Sequence, residues 1–125
     1  MQTIIDSKQK NMFNVIYKVT LYQTDKEPMY YIGKTARELK SRLYEHTHNV
    51  KSAVYQYVKR HNIGVIKIEV IDTCKYIQQL DTKETLAIAK HIIKYGKKKH
   101  RLVNKDFKGL DKLTMRELKE LSSLL

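Results

Sequence analysis

Phe13-Asn14-Val15-Ile16-Tyr17-Lys18-Val19-Thr20-Leu21-Tyr22, followed after a polar segment by Met29-Tyr30-Tyr31-Ile32-Gly33, is the stretch that decides the fold. Val15, Tyr17, Val19 and Leu21 alternate with more polar neighbours, the period of a half-buried strand over Phe13–Tyr22. Gln23–Pro28 reads as a turn and Met29–Ile32 as a second strand, so the pair predicts an antiparallel hairpin. Gly33 closes it, where the backbone bends sharply or approaches another group closely. The hairpin brings two phenols, Tyr17 and Tyr31, onto neighbouring strands.

Downstream, Thr35 and Glu38 have capping-box spacing before a helix that buries Leu39 and Leu43. Arg42 and His46 lie four apart and share a neighbouring face of that helix. A second helix is expected from about Val50 to Arg60, with Val54, Tyr57 and Val58 inward. Val65–Ile71 alternates as a third strand, after Gly64. Asp81–Tyr95 forms a third helix whose apolar stripe holds Glu84, Ala87, Ile88, Ile92 and Tyr95. Gly96 stops it, and Lys97-Lys98-Lys99-His100-Arg101 follows as a basic loop. Thr114–Leu124 is a short helix, with Thr114 and Glu117 at capping-box spacing and Leu113 and Leu118 as a staple. Three strands and four helices in mixed order predict an α+β fold. Residues 1–12 read as a polar lead-in, 13–104 as the main domain and 105–125 as a C-terminal extension.

Composition narrows the partner. The chain has 125 residues, the size of one domain. Its 25 Lys+Arg against 13 Asp+Glu give a formal charge of +12, which calls for a polyanion, nucleic acid first. A solvated lysine face is the plainer alternative. Cys74 is the single cysteine, so neither an internal disulfide nor a thiolate zinc site forms, and a reducing intracellular compartment fits. No apolar run is long enough for a bilayer, so no membrane partner is expected. Thr82–Tyr95 has an apolar face but only a modest basic one for a lipid surface.

Three constellations can carry chemistry. Glu84 sits on an apolar stripe, where a carboxylate needs a metal ion or a paired base. Asp81-x-x-Glu84 also has capping-box spacing, so Glu84 has a second reading as a helix-start residue. Arg42 can grip a phosphate bidentately and His46 can relay protons; an exposed basic helix is the alternative. His48, His61, His91 and His100 read as ordinary surface or packing histidines. Glu84 and His91 are two turns apart, about 10 Å, too far to grip one ion together. Tyr17 and Tyr31 are poor bases at an ordinary pKa of about 10, and nearby Lys34 and Arg42 are expected to lower that value.

In this order the residues resemble the GIY-YIG nuclease family over roughly 13–104. Val15-Ile16-Tyr17 stands for its first motif and Tyr31-Ile32-Gly33 for its second. Lys34-Thr35 and Leu39-Lys40-Ser41-Arg42-Leu43-Tyr44-Glu45-His46 match its basic helix, Glu84 its metal-binding glutamate, and Leu102-Val103-Asn104 its closing asparagine. The resemblance implies a three-stranded antiparallel sheet flanked by helices, and metal-dependent hydrolysis of phosphodiesters. It implies one divalent ion, Mg2+ or Mn2+, on Glu84; Tyr17 as general base or water-orienting group; and Arg42 on the scissile phosphate. Tyr31 and His46 support proton transfer or phosphate placement, Lys34 depresses the phenol pKa, and Asn104 holds the geometry. Val15 replaces the usual glycine, the connection between the tyrosines is somewhat long, and His48 is the nearest candidate for a second histidine. Lys40, Lys97, Lys98, Lys99 and Arg101 are candidate backbone contacts. The substrate expected is DNA before RNA. Recognition then falls to the domain itself, a homodimer or a partner protein, in the cytoplasm of a bacterial or phage-infected cell or in a nucleus. A non-catalytic nucleic-acid-binding module and an RNA-directed nuclease are the alternatives.

Overall fold

The computed structural model describes residues 1–124; Leu125, the last position of the expected extension, lies outside the described residues. The class is α+β, but the sheet has four strands and is mixed. The antiparallel trio is as expected: β2 (Val15–Gln23) pairs with β3 (Lys26–Thr35) on one side and β4 (Val65–Thr73) on the other. The correction is β1 (Gln2–Ile5), which adds a parallel strand beside β4 to give the order β1-β4-β2-β3. The polar lead-in therefore contributes an edge strand. Four residues with most side chains exposed carry too little alternation to announce themselves.

The lead-in also starts a helix. Met12 and Lys10 carbonyls accept from the Leu39 and Lys40 amides, both at 2.9 Å, at the first turn of α1 (Leu39–His48). Thr35 is the last residue of β3 instead of a cap, and its hydroxyl accepts from the Arg37 amide. Helix α2 (Ala53–His61) starts three residues later than expected, after its cap Ser52, whose hydroxyl accepts from Tyr55 N–H.

Strand β2 is buried on both faces, not half-buried. Val15, Tyr17, Val19 and Leu21 pack with Leu39, Val54 and Val58 beneath α1 and α2. Ile16 faces the other way, into a second cluster with Ile88, Ala89 and Ile92 of α3 (Leu80–Tyr95) and Leu118 of α4 (Met115–Leu124). Thr114 and Glu117 close the expected capping box at the start of α4. No described helix is long and apolar enough to cross a membrane.

Gly33 is not the bend that the sequence suggested. It lies inside β3, directly opposite Tyr17, and a Cβ there would stand 2.5 Å from the Tyr17 oxygen. Glycine is required because the phenol lies across this backbone.

Candidate active site

The strand register places the two tyrosines. Tyr31 stands opposite Val19, one pleat along from Gly33, on the same face as Tyr17. The two rings are 6.2 Å apart. Helix α1 then lays Arg42 and His46, one turn apart, over them. Arg42 Nε donates to the Tyr17 oxygen at 3.2 Å, and His46 Nε2 lies 2.7 Å from the same oxygen. The other ring nitrogen of His46 is 2.8 Å from Ser52 Oγ. Tyr31 meets the His46 ring edge-on at 4.9 Å. Tyr17 is 0% exposed and His46 2%.

Burial governs the electrostatics here. It raises the Tyr17 phenol well above its ordinary pKa, with Tyr31 adding to the rise and Arg42 opposing it more weakly. The expected lowering is overturned, because the loss of hydration outweighs one neighbouring guanidinium. Tyr31 shifts the same way for the same first reason. Burial, followed by the Arg42 charge, pushes His46 down to about 3, with Glu45 opposing. Both phenols and the imidazole are therefore neutral near pH 7.

Lys34 lines a neighbouring pocket with Tyr31, Arg42 and Glu84, but its ammonium is engaged by Asp81 Oδ1, to which it donates at 2.7 Å. Asp81 lies in the first turn of α3, which begins at Leu80 with no side-chain cap, so the Asp81–Glu84 capping box does not form. Glu84 instead lies buried, at 8% exposed. Its partner is a residue the sequence reading missed. Lys108, in the segment after Asn104, places Nζ 2.8 Å from Asp81 Oδ1 and 3.3 Å from Glu84 Oε1. The bonds from Lys108 and Lys34 hold the Asp81 carboxyl down at about 2. Asp81 in turn holds the Lys108 ammonium above its ordinary value. Lys108 adopts a left-handed φ of 57°, a position no motif marks.

These groups enclose a cleft of about 390 Å3 whose lining includes Tyr31, Arg42, His46, Glu84, Asn104 and Lys108. Tyr31 is the phenol that faces the cleft, whereas Tyr17 lies sealed behind it. Asn104 clamps the chain to β3: Ile32 N–H donates to its Oδ1 at 3.1 Å, and its Nδ2 donates to the Ile32 carbonyl at 2.7 Å. Among the described residues no group of three or more His, Cys, Asp or Glu side chains is gathered to hold a metal ion. Glu84 is a lone carboxylate turned toward a polar cleft and already holding a cation. A hydrated divalent ion would need few protein ligands beyond Glu84, but it would have to share that carboxylate with the Lys108 ammonium.

The remaining candidates lie apart from the cleft lining. His48 is exposed and stacks on Tyr44 with ring centres 3.9 Å apart. His91 donates from Nε2 to the His100 carbonyl at 2.7 Å, a structural bond. In the basic loop, Lys97 is held by the Leu113 carbonyl and Arg101 pairs with Glu27, while Lys98 and Lys99 are exposed. Lys40 is exposed on α1 and pairs with Glu38 at 3.1 Å.

Compared with family models, with curated proteins and with solved structures, the chain matches none.

Proposed function

We propose that the chain is a metal-dependent endonuclease of GIY-YIG type that hydrolyses phosphodiester bonds in DNA. The observation that supports this most is convergence. Tyr31, Arg42, His46, Glu84 and Asn104, scattered through the sequence, line one cleft, with Tyr17 hydrogen-bonded behind them. A packed core alone has no need to gather a phenol pair, a guanidinium, a neutral imidazole and a buried carboxylate at one place. The formal charge of +12 suits a phosphate polymer.

Each residue then has a task. Arg42 leaves the Tyr17 oxygen for the scissile phosphate and neutralises charge that builds on its oxygens. That movement would open the sealed Tyr17 oxygen to the cleft and free a lone pair on it for the attacking water. Because the phenol is neutral, it accepts the water's proton only as its own proton passes to His46 Nε2. The new bond joins the water oxygen to phosphorus, the ester oxygen departs, and it takes a proton from solvent. Tyr31 orients the water from the cleft side, and Asn104 fixes β3. Glu84 would hold the divalent ion, which when bound supplies positive charge against the phosphate and the leaving oxygen.

One observation favours a non-catalytic nucleic-acid-binding module. The Lys108 ammonium compensates Glu84 without any metal. Nicking of supercoiled DNA with and without Mg2+ separates the two readings. The nuclease reading expects cutting by the wild type with Mg2+. It also expects loss of about 100-fold or more in Glu84→Gln and Tyr17→Phe with DNA binding retained. An inert wild type that binds DNA in a salt-sensitive way is the signature of the binding module. Faster cutting of matched RNA would reassign the substrate.

A further inference from the structure

Donor counting favours one hydrogen-bond direction at Tyr17 and His46. The Arg42 guanidinium has only donors, so it gives its Nε–H to the Tyr17 oxygen. The Tyr17 proton must then go elsewhere, and Tyr17 is fully buried. Two acceptors stand beside it, the Tyr31 hydroxyl and His46 Nε2, and the short 2.7 Å contact is to Nε2. With the proton on that bond, Nε2 carries a lone pair and the ring proton sits on Nδ1. Nδ1 lies 2.8 Å from Ser52 Oγ, which accepts it. The same serine oxygen accepts from Tyr55 N–H at 3.3 Å, as the cap of α2. The chain runs in one direction, from Arg42 to Tyr17 to His46 to Ser52.

We propose that Ser52 is a positioning residue, holding His46 in the Nδ1–H tautomer so that Nε2 stands ready for the Tyr17 proton. Ser52 lines the same cleft, and the role assigned to it runs through His46. The helix cap is what makes the arrangement rigid. One hydroxyl anchored to the first turn of α2 receives the imidazole of α1, and the two helices set the ring angle together. Without this hydroxyl, one buried donor is left unpaired in either tautomer. It is Nδ1–H in one and the Tyr17 hydroxyl in the other, so the two become comparable in free energy. The consequence for turnover rests on the nuclease reading, whereas the tautomer does not.

The test uses Ser52→Gly, which keeps a residue favourable for capping, and Ser52→Thr, which keeps the hydroxyl. Long-range proton–nitrogen NMR of the His46 ring should show Nδ1–H in wild type and Ser52→Thr, and a tautomer mixture in Ser52→Gly. Nicking by Ser52→Gly should fall about 10-fold in kcat with KM unchanged, and Ser52→Thr should restore it. Nε2–H in the wild type, or one unchanged tautomer across all three proteins, overturns the proposal. If the wild type cuts no nucleic acid yet the tautomer follows the hydroxyl, the nuclease reading fails and the role of Ser52 in fixing the ring stands.

Discussion

One side of the cleft rests on the neutral groups Tyr17, His46 and Ser52, the first two buried, whereas the other rests on Glu84 and the ion pairs that join Lys108, Asp81 and Lys34 behind it. On the first, hydrogen bonds run between elements far apart in sequence, and burial moves the pKa values of Tyr17 and His46 more than any neighbour does. On the second, Asp81 is two-thirds exposed in its side chain, and direct bonds to two ammoniums move it instead. The buried wall should respond to changes of shape and pH but little to salt. The charged wall should respond to charge changes modestly and be screened.

On the nuclease reading Arg42 would join the buried groups to the scissile phosphate, so removing it should have the largest effect. Arg42→Ala takes away the phosphate contact and the donor to Tyr17, and nicking should fall about 100- to 1,000-fold. Arg42→Lys should not rescue it, since an ammonium cannot reproduce the Nε–H bond and a bidentate grip at once. Near-wild-type cutting by Arg42→Lys would show that only charge matters there, and the contrast between the walls would collapse.

Gly33→Ala comes next. The added methyl would lie 2.5 Å from the Tyr17 oxygen and 2.8 Å from Tyr31 Cε1. Tyr17 cannot swing away, because it is fully buried and held by Arg42 and His46. Overpacking of this kind costs about 1–3 kcal/mol, read as a lower urea midpoint with an unchanged slope. An unaltered midpoint would mean that the phenol has room the structure denies it.

The pH response separates the walls at a scale of about 1.4 kcal/mol per pH unit. Unfolded His46 titrates near 6.5, and folded His46 is held down at about 3. Between those values the unfolded chain binds the extra proton. Stability contributed by the neutral ring is thus complete above about 6.5 and is lost as pH falls toward about 3, by about 1.4 kcal/mol per pH unit. Burial holds His91 down to about 4 with the same sign. Urea unfolding between pH 4.5 and 6.5 should therefore show His46→Gln with a slope flatter by roughly one such increment, the His91 share remaining. Parallel slopes for the two proteins would place His46 in water.

How legible this was differs between the walls for physical reasons. Strand alternation exposed the Val15–Leu21 strand, and helical stripes exposed Glu84, because periodic burial leaves a periodic pattern. Alternation could not show that β2 is covered on both faces, nor that residues 2–5 pair with β4, since both depend on distant elements. The start of α1 was misread because its caps are main-chain carbonyls of Lys10 and Met12, which leave no residue signature. Ser52 could have been noticed as a cap before an apolar helical run, though its bond to His46 could not. Lys108 had no signal beyond the adjoining Gly109. The lowered phenol pKa failed because full burial of Tyr17, which local sequence does not reveal, outweighs the Arg42 charge, and Lys34 is taken by Asp81.

Lys108 gives the smallest and most discriminating expectation. Its ammonium lies 3.3 Å from Glu84 Oε1, on the carboxylate that would hold the divalent ion. Cations at one carboxylate compete, so Lys108→Gln should tighten Mn2+ binding, measured by paramagnetic resonance of the free ion. The gain should be about three- to tenfold, limited because the lysine side chain is a quarter exposed and Asp81 still holds it in part. Added salt should shrink the difference, as it screens the ammonium. The fold itself should tolerate the change, since the glutamine leaves both apolar clusters intact. Weaker Mn2+ binding in Lys108→Gln would mean that the lysine organises the charged wall and does not compete for it. That wall would then depend on fixed geometry as much as the buried one does.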